Sequence, residues 1–234
     1  MKPEEKSILS SFVPPLIFVG LLWLVKGIEM YFHIELHHFG IFPRDLSSLK
    51  GILTMPFIHD DFKHLFSNTL PLVVMGAMLI YFYRAISTKV FLWIWLLHTV
   101  WLWIGGRPAW HIGASGIVYG LASFLLFSGV LRKDIRLMAL SMLVIFLYGG
   151  MIWGMFPIFY GMSWEAHLFG AMSGFLLAWV YREEGPQRKV YDWESEPEEE
   201  FTQPFSQISS TSDLTPFTEI KINKEEESSE GKLE

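Results

Sequence analysis

No cysteine occurs anywhere in the 234 residues. That absence excludes disulfides, thiolate metal sites and thiol nucleophiles, and it leaves redox usage silent about the compartment. There is no His-Glu-x-x-His, and the apolar runs contain no pair of aspartates, so zinc-dependent and aspartate-dependent hydrolysis both lack their residues. Internal repeats are missing, and no exposed basic stretch suits nucleic acid. Charge is scarce and unevenly placed. Residues 183–234 carry 15 Asp/Glu against 5 Lys/Arg, a net of −10, which leaves residues 1–182 with 9 against 13, or +4. The overall charge of −6 therefore describes the tail. What the chain has in quantity is apolar surface, with 51% hydrophobic residues and 16% aromatics, more than a soluble domain of this length carries. A multi-pass, all-α membrane protein is expected.

Read in order, the chain predicts six spans. The apolar run from about Phe12 to Phe32 is too long for a signal-peptide core and lacks a small-residue cleavage site, so it is expected to stay as a first helix. Lys26 and Glu29, three apart in its later half, read as anchors that pair or reach towards an interface. Residues 33–58 mix charge with Gly and Pro and predict a long loop holding some amphipathic helix. His33 and His37 are four apart there, a metal-like spacing with no further ligand set. Further spans are expected over about 62–83, 90–104, 113–130, 137–156 and 163–181. Tryptophans 93, 95, 101 and 103 suit headgroup level or packing seams, and His98 suits a hydrogen-bonded core position. Arg182 ends the apolar part. The expected organisation is a short N-terminus (1–11), a membrane domain (12–182) and an acidic, Ser/Thr-rich, disordered tail (183–234).

Polar residues inside spans need an explanation, and three groups stand out. His64 and Asn68 share a helix face near the start of the second span. They are either interhelical glue or two donors aimed where negative charge develops. Ser115, within Gly113-Ala-Ser-Gly116, opens the fourth span, where first-turn N–H groups favour an anion, and Tyr119 shares its face. Taken alone, small residues around a serine serve close helix packing as readily as chemistry. His167 lies on one stripe with Gly170 and Gly174 in the sixth span. Together these residues meet the needs of acyl transfer. A serine hydroxyl is a weak nucleophile until a base within hydrogen-bond reach takes its proton, and His167 is the residue type suited to that. Gly116, Gly120, Gly170 and Gly174 would let the fourth and sixth spans approach. His64, Asn68 and the Ser115 N–H could then form an oxyanion site, worth about 3–4 kcal/mol per donor. No carboxylate is placed to orient the histidine, so a dyad is expected.

The blocks His64-x3-Asn68, Gly113-Ala-Ser115-Gly116 with Tyr119, and His167-x2-Gly170-x3-Gly174, each opening a membrane helix, resemble those of the rhomboid intramembrane serine proteases. The likeness covers about residues 12–182. It implies a six-helix bundle, Ser115 as nucleophile, His167 as general base, His64 and Asn68 on the oxyanion, and Tyr119 beside the dyad histidine. His59 matches a histidine common before the His-x3-Asn block. The first loop departs from the family pattern, with Pro43-Arg44 in place of a Trp-Arg pair. No cofactor or metal is implied. The implied partners are the lipid bilayer and single-span protein substrates cut in or near their membrane segment.

Basic residues cluster at the N-terminus, at 84–89, at 131–136 and beyond 181, so six spans would put both termini in the cytoplasm, in a bacterial inner membrane. His64, Ser115 and His167 would then all lie near the outer face. Two rival readings are an inactive relative that escorts membrane proteins and a small transporter. The first fits poorly with a chain holding both serine and histidine, and the second would want repeated halves or broken helices.

Overall fold

The structure is a computed structural model that describes residues 8–159 and 161–188. Among the described residues seven α-helices make the frame: α1 (Ile8–Phe32), α2 (Gly51–Thr54), α3 (Phe62–Phe82), α4 (Ser87–Gly105), α5 (Ser115–Arg132), α6 (Ile135–Tyr148) and α7 (Trp164–Val180). Among the described residues the only β-type pairing is an isolated bridge between Ile41 and His111. Among the described residues five segments are long and apolar enough to cross a bilayer: α1, α3, α4, α5, and α6 taken with the 3-10 turns that follow it to Met155. The sixth expected span corresponds to α7, which has 17 residues. In lipid the apolar residues can face outward, as Leu70, Phe146 and Trp179 do here, while the interior is held by packing and directed bonds.

α5 lies at the centre and packs against α3, α4, α6 and α7, while α1 lies on α3. It can be central because it is lined with small residues. A Cβ built on Gly170 would strike the carbonyl of Gly116, and one on Gly174 the carbonyl of Gly120, so α5 and α7 meet backbone to backbone. Side chains cap the helix starts: Asp61 accepts the His64 N–H at 2.6 Å, Asp134 accepts from Arg136 and Leu137, and Ser163 accepts from Ala166. The bond from the Arg136 guanidinium holds the Asp134 carboxyl below its usual range. At the far end of α5, buried Arg132 donates to the carbonyls of Tyr181 and Arg182, joining the lower ends of α5 and α7.

The structure adds detail to three expectations. Lys26 and Glu29 pair at 2.9 Å, the first of the two expected options, and both are buried, with Lys26 Nζ also donating to the carbonyls of His59 and Asp60. Two backbone acceptors and a carboxylate satisfy a buried ammonium, so the pair ties α1 to the segment leading into α3. The first segment after α1 is the expected long loop, and its helical part is limited to short 3-10 turns and the four-residue α2. Side chains pin it to α4: the indoles of Trp95 and Trp103 donate to the Ile52 and Asp45 carbonyls, and Arg44 donates to the Ile104 and Gly106 carbonyls. Arg44, with φ of 63°, thus gives the Pro43-Arg44 turn its packing. Finally, the fifth span leaves α geometry at Gly149 and continues as 3-10 turns to Met155. Of the expected tail, residues 189–234 lie outside the described residues, as do 1–7 of the N-terminus.

Candidate functional site

Ser115 is the first residue of α5, and His167 lies in the first turn of α7. Because the glycines let these helices touch one turn further on, the two side chains meet: His167 Nε2 lies 2.9 Å from Ser115 Oγ. His167 Nδ1 lies 2.8 Å from the Gly154 carbonyl. A carbonyl can only accept, so Nδ1 carries the ring proton and Nε2 turns its lone pair to the serine hydroxyl, the tautomer a base requires. The Tyr119 ring stacks on the imidazole with centroids 4.2 Å apart and planes 8° apart, and its hydroxyl donates to the Met151 carbonyl at 2.7 Å. Rotation of the imidazole is thereby blocked by a bond at one edge and a ring across its face.

Sequence reasoning missed Gly154. Its carbonyl takes the orienting role that no carboxylate fills, and its lack of a side chain is required, because a Cβ there would strike the Tyr119 hydroxyl. A backbone carbonyl carries no residue-type signal, although the glycine itself was visible.

His64 and Asn68 face the same space. The His64 ring packs on Gly113, whose φ of +101° and absent Cβ allow the approach; a Cβ there would lie 2.7 Å from His64 Cε1. The Gly113 N–H donates to the Met55 carbonyl at 3.1 Å, so the turn ahead of Ser115 is fixed from the first loop. Asn68 Nδ2 donates to His59 Nε2 at 3.2 Å, and the His59 and His64 rings meet edge to face at 5.0 Å. One amide hydrogen of Asn68 is thus spent on His59, which sets the orientation of the other. Burial, reinforced by neighbouring His64, lowers the His59 pKa to about 3, so it stays neutral and keeps accepting. His98 is fully buried as expected, with Nδ1 donating to the Ile94 carbonyl at 2.8 Å, and its ring fills the space beside Gly116.

A cavity of about 810 Å³ borders Ser115, His167, His64, Asn68, Tyr119 and Arg107. It leaves open space beside the serine hydroxyl. Among the described residues no cluster of three His, Asp or Glu side chains gathers as a metal site, and His37, from the His33–His38 run, lies 3.2 Å from Asp60. The arrangement can therefore move a proton from Ser115 Oγ to His167 Nε2, with donors nearby for a developing negative oxygen.

These features define a polytopic helical membrane protein with a serine–imidazole pair at the head of its central helix. A family model described as the Rhomboid domain matches residues 47–184, and the chain belongs to the rhomboid family, whose members are generally intramembrane serine proteases. It is similar to an uncharacterized protein of Mycobacterium bovis and to one of Mycobacterium tuberculosis, each 33% identical over 188 residues that cover 75% of this chain and 76% of the relative. An uncharacterized protein of Mycobacterium leprae is 34% identical over 195 residues, covering 75% of this chain and 72% of that protein.

Proposed function

We propose that the protein is an intramembrane serine endopeptidase that hydrolyses peptide bonds in or near the transmembrane segments of other membrane proteins. Ser115 Oγ attacks the scissile carbonyl carbon as its proton passes to His167 Nε2. The carbonyl oxygen becomes an oxyanion that accepts from His64, Asn68 and the Ser115 N–H. Collapse of the intermediate breaks the C–N bond, and His167 returns the proton to the leaving amine. Water, deprotonated by the same nitrogen, then hydrolyses the acyl-enzyme. A helical substrate backbone satisfies its own polar groups, so the substrate must unwind locally before its carbonyl is exposed. The observation that supports this reading is the pair of bonds on His167, 2.9 Å to Ser115 Oγ and 2.8 Å to the Gly154 carbonyl, an arrangement suited to an imidazole acting as base towards the serine.

In this reading residues 12–182 form the protease domain in a bacterial inner membrane, with α7 as a sixth span. Residues 1–11 and 183–234 are cytoplasmic, and the site opens towards the outer face. An inactive, client-binding relative would be expected to lack a member of the pair, and both are present. The test is reaction of the purified protein with a fluorophosphonate probe: labelling is expected, and it should vanish in Ser115→Ala. Equal labelling of that variant would remove Ser115 as nucleophile.

A further inference from the structure

A second set of bonds joins the same two stretches of chain as the Ser115–His167 pair, one helical turn ahead of it. His111 Nε2 donates to the Arg107 carbonyl at 3.1 Å. Its Nδ1 is therefore the lone-pair nitrogen, and it accepts the Ser163 hydroxyl at 2.6 Å. Ser163 Oγ in turn accepts the Ala166 N–H at 3.4 Å and caps α7. Arg107 closes the same join from the other side: its guanidinium donates to the Met162 carbonyl at 2.8 Å and lies 3.4 Å from the Glu165 carboxylate. The backbone of His111 is itself fixed, bonded in both directions to Ile41 at 2.9 and 2.8 Å.

Register makes this join more than packing. His111 stands four residues before Ser115, and Ser163 stands four before His167, so both pairs span 52 positions. A shift or rotation of the head of α7 against the loop entering α5 would change both distances together. His111 is 1% exposed, and an apolar ring would fill its space without placing two directed bonds there. We infer that His111, acting through Ser163, is a positioning residue that sets the height and rotation of α7 against α5 and so holds His167 Nε2 within reach of Ser115 Oγ. This rests on the proposed roles of Ser115 and His167. Burial lowers the His111 pKa against the opposing pull of the Arg107 carbonyl and the Glu165 carboxylate, so the neutral, accepting form persists at neutral pH.

The test uses the full-length protein and measures the rate of fluorophosphonate labelling, kcat and KM on a transmembrane reporter, and Tm. His111→Phe keeps a ring in place and removes both bonds. Labelling and kcat are expected to fall about 10- to 100-fold, the scale of a sub-ångström to 1 Å misplacement, with KM within about twofold of wild type. His111→Gln, which can both donate and accept, should recover most of the loss. Ser163→Ala should reproduce the fall, and the double variant should add little to either single one. A folded His111→Phe that labels at the wild-type rate overturns the inference. Should that variant not fold, Ser163→Ala decides alone on the same readings. Wild-type labelling that Ser115→Ala abolishes keeps the proposed function standing whichever way His111 falls, whereas unlabelled wild type overturns both.

Discussion

Gly170→Ala tests the seam between α5 and α7 with one methyl group. A Cβ built there would strike the Gly116 carbonyl and lie 3.1 Å from Gly116 Cα. All of these atoms are backbone, so no side chain can turn aside, and the helices must part by more than about 1 Å to restore ordinary van der Waals contact. Gly170 is one turn below His167, so that displacement reaches the imidazole almost undiminished. The Ser115–His167 bond would stretch from 2.9 Å to beyond hydrogen-bond reach. A misplacement of about 1 Å lowers turnover on the order of 100-fold, and over-packing lowers stability by about 1–3 kcal/mol. The assay is cleavage of a transmembrane reporter together with fluorophosphonate labelling, with Tm followed by circular dichroism. Gly20→Ala is the control, since nothing lies within 4 Å of a Cβ there, and it should behave as wild type. Wild-type labelling by a stably folded Gly170→Ala would refute the argument that backbone contact at this seam sets the dyad distance.

Three further outcomes are expected. Asn68→Ala should lower kcat by about 10²–10³, the loss typical of one oxyanion donor, with helicity retained; unchanged turnover would mean that its bond to His59 is structural glue alone. Lys26→Met leaves Glu29 buried without its cation and should lower stability by about 3–5 kcal/mol, while adding Glu29→Leu should return much of it; a Tm unaffected by Lys26→Met would contradict a buried pair. Acid should destabilise the protein through His59. Its folded pKa of about 3 lies below the 6.5 of the unfolded chain, so the unfolded state takes up the proton first. Its contribution is whole above pH 6.5 and is lost as pH falls from there towards 3, by up to about 1.4 kcal/mol per pH unit, and His111 acts in the same direction. A Tm constant between pH 7 and 5 would show that both imidazoles are solvated.

Much of the bundle is legible in the sequence because lipid simplifies the code. Long apolar runs with polar turns between them give the helices, and small residues four apart give away the seams, as Gly116, Gly120, Gly170 and Gly174 do. The meeting of Ser115 with His167 was legible from the same signal, since His167 shares a stripe with Gly170 and Gly174 and Ser115 directly precedes Gly116 at the head of the partner helix. What stayed hidden depends on backbone atoms and on distance along the chain. The Gly154 carbonyl orients His167 from a 3-10 turn that no periodicity marks. The pairing of Lys26 with Glu29 is legible from their spacing, but its bonds to the carbonyls of His59 and Asp60, more than 30 positions away, are not. His111 stands beside the Gly113-Ala-Ser115 block, but nothing in the sequence pairs it with Ser163, 52 positions further on. In each case the missing information was which carbonyl or hydroxyl the fold brings across from another segment.

The central claim is tested most directly by mass-spectrometric mapping of a single-span reporter protein incubated with the purified chain in lipid. The account predicts new termini at a defined bond within or beside the reporter's membrane segment, produced by wild type and absent with Ser115→Ala. An intact reporter with folded wild-type protein, or identical termini with Ser115→Ala, would contradict it.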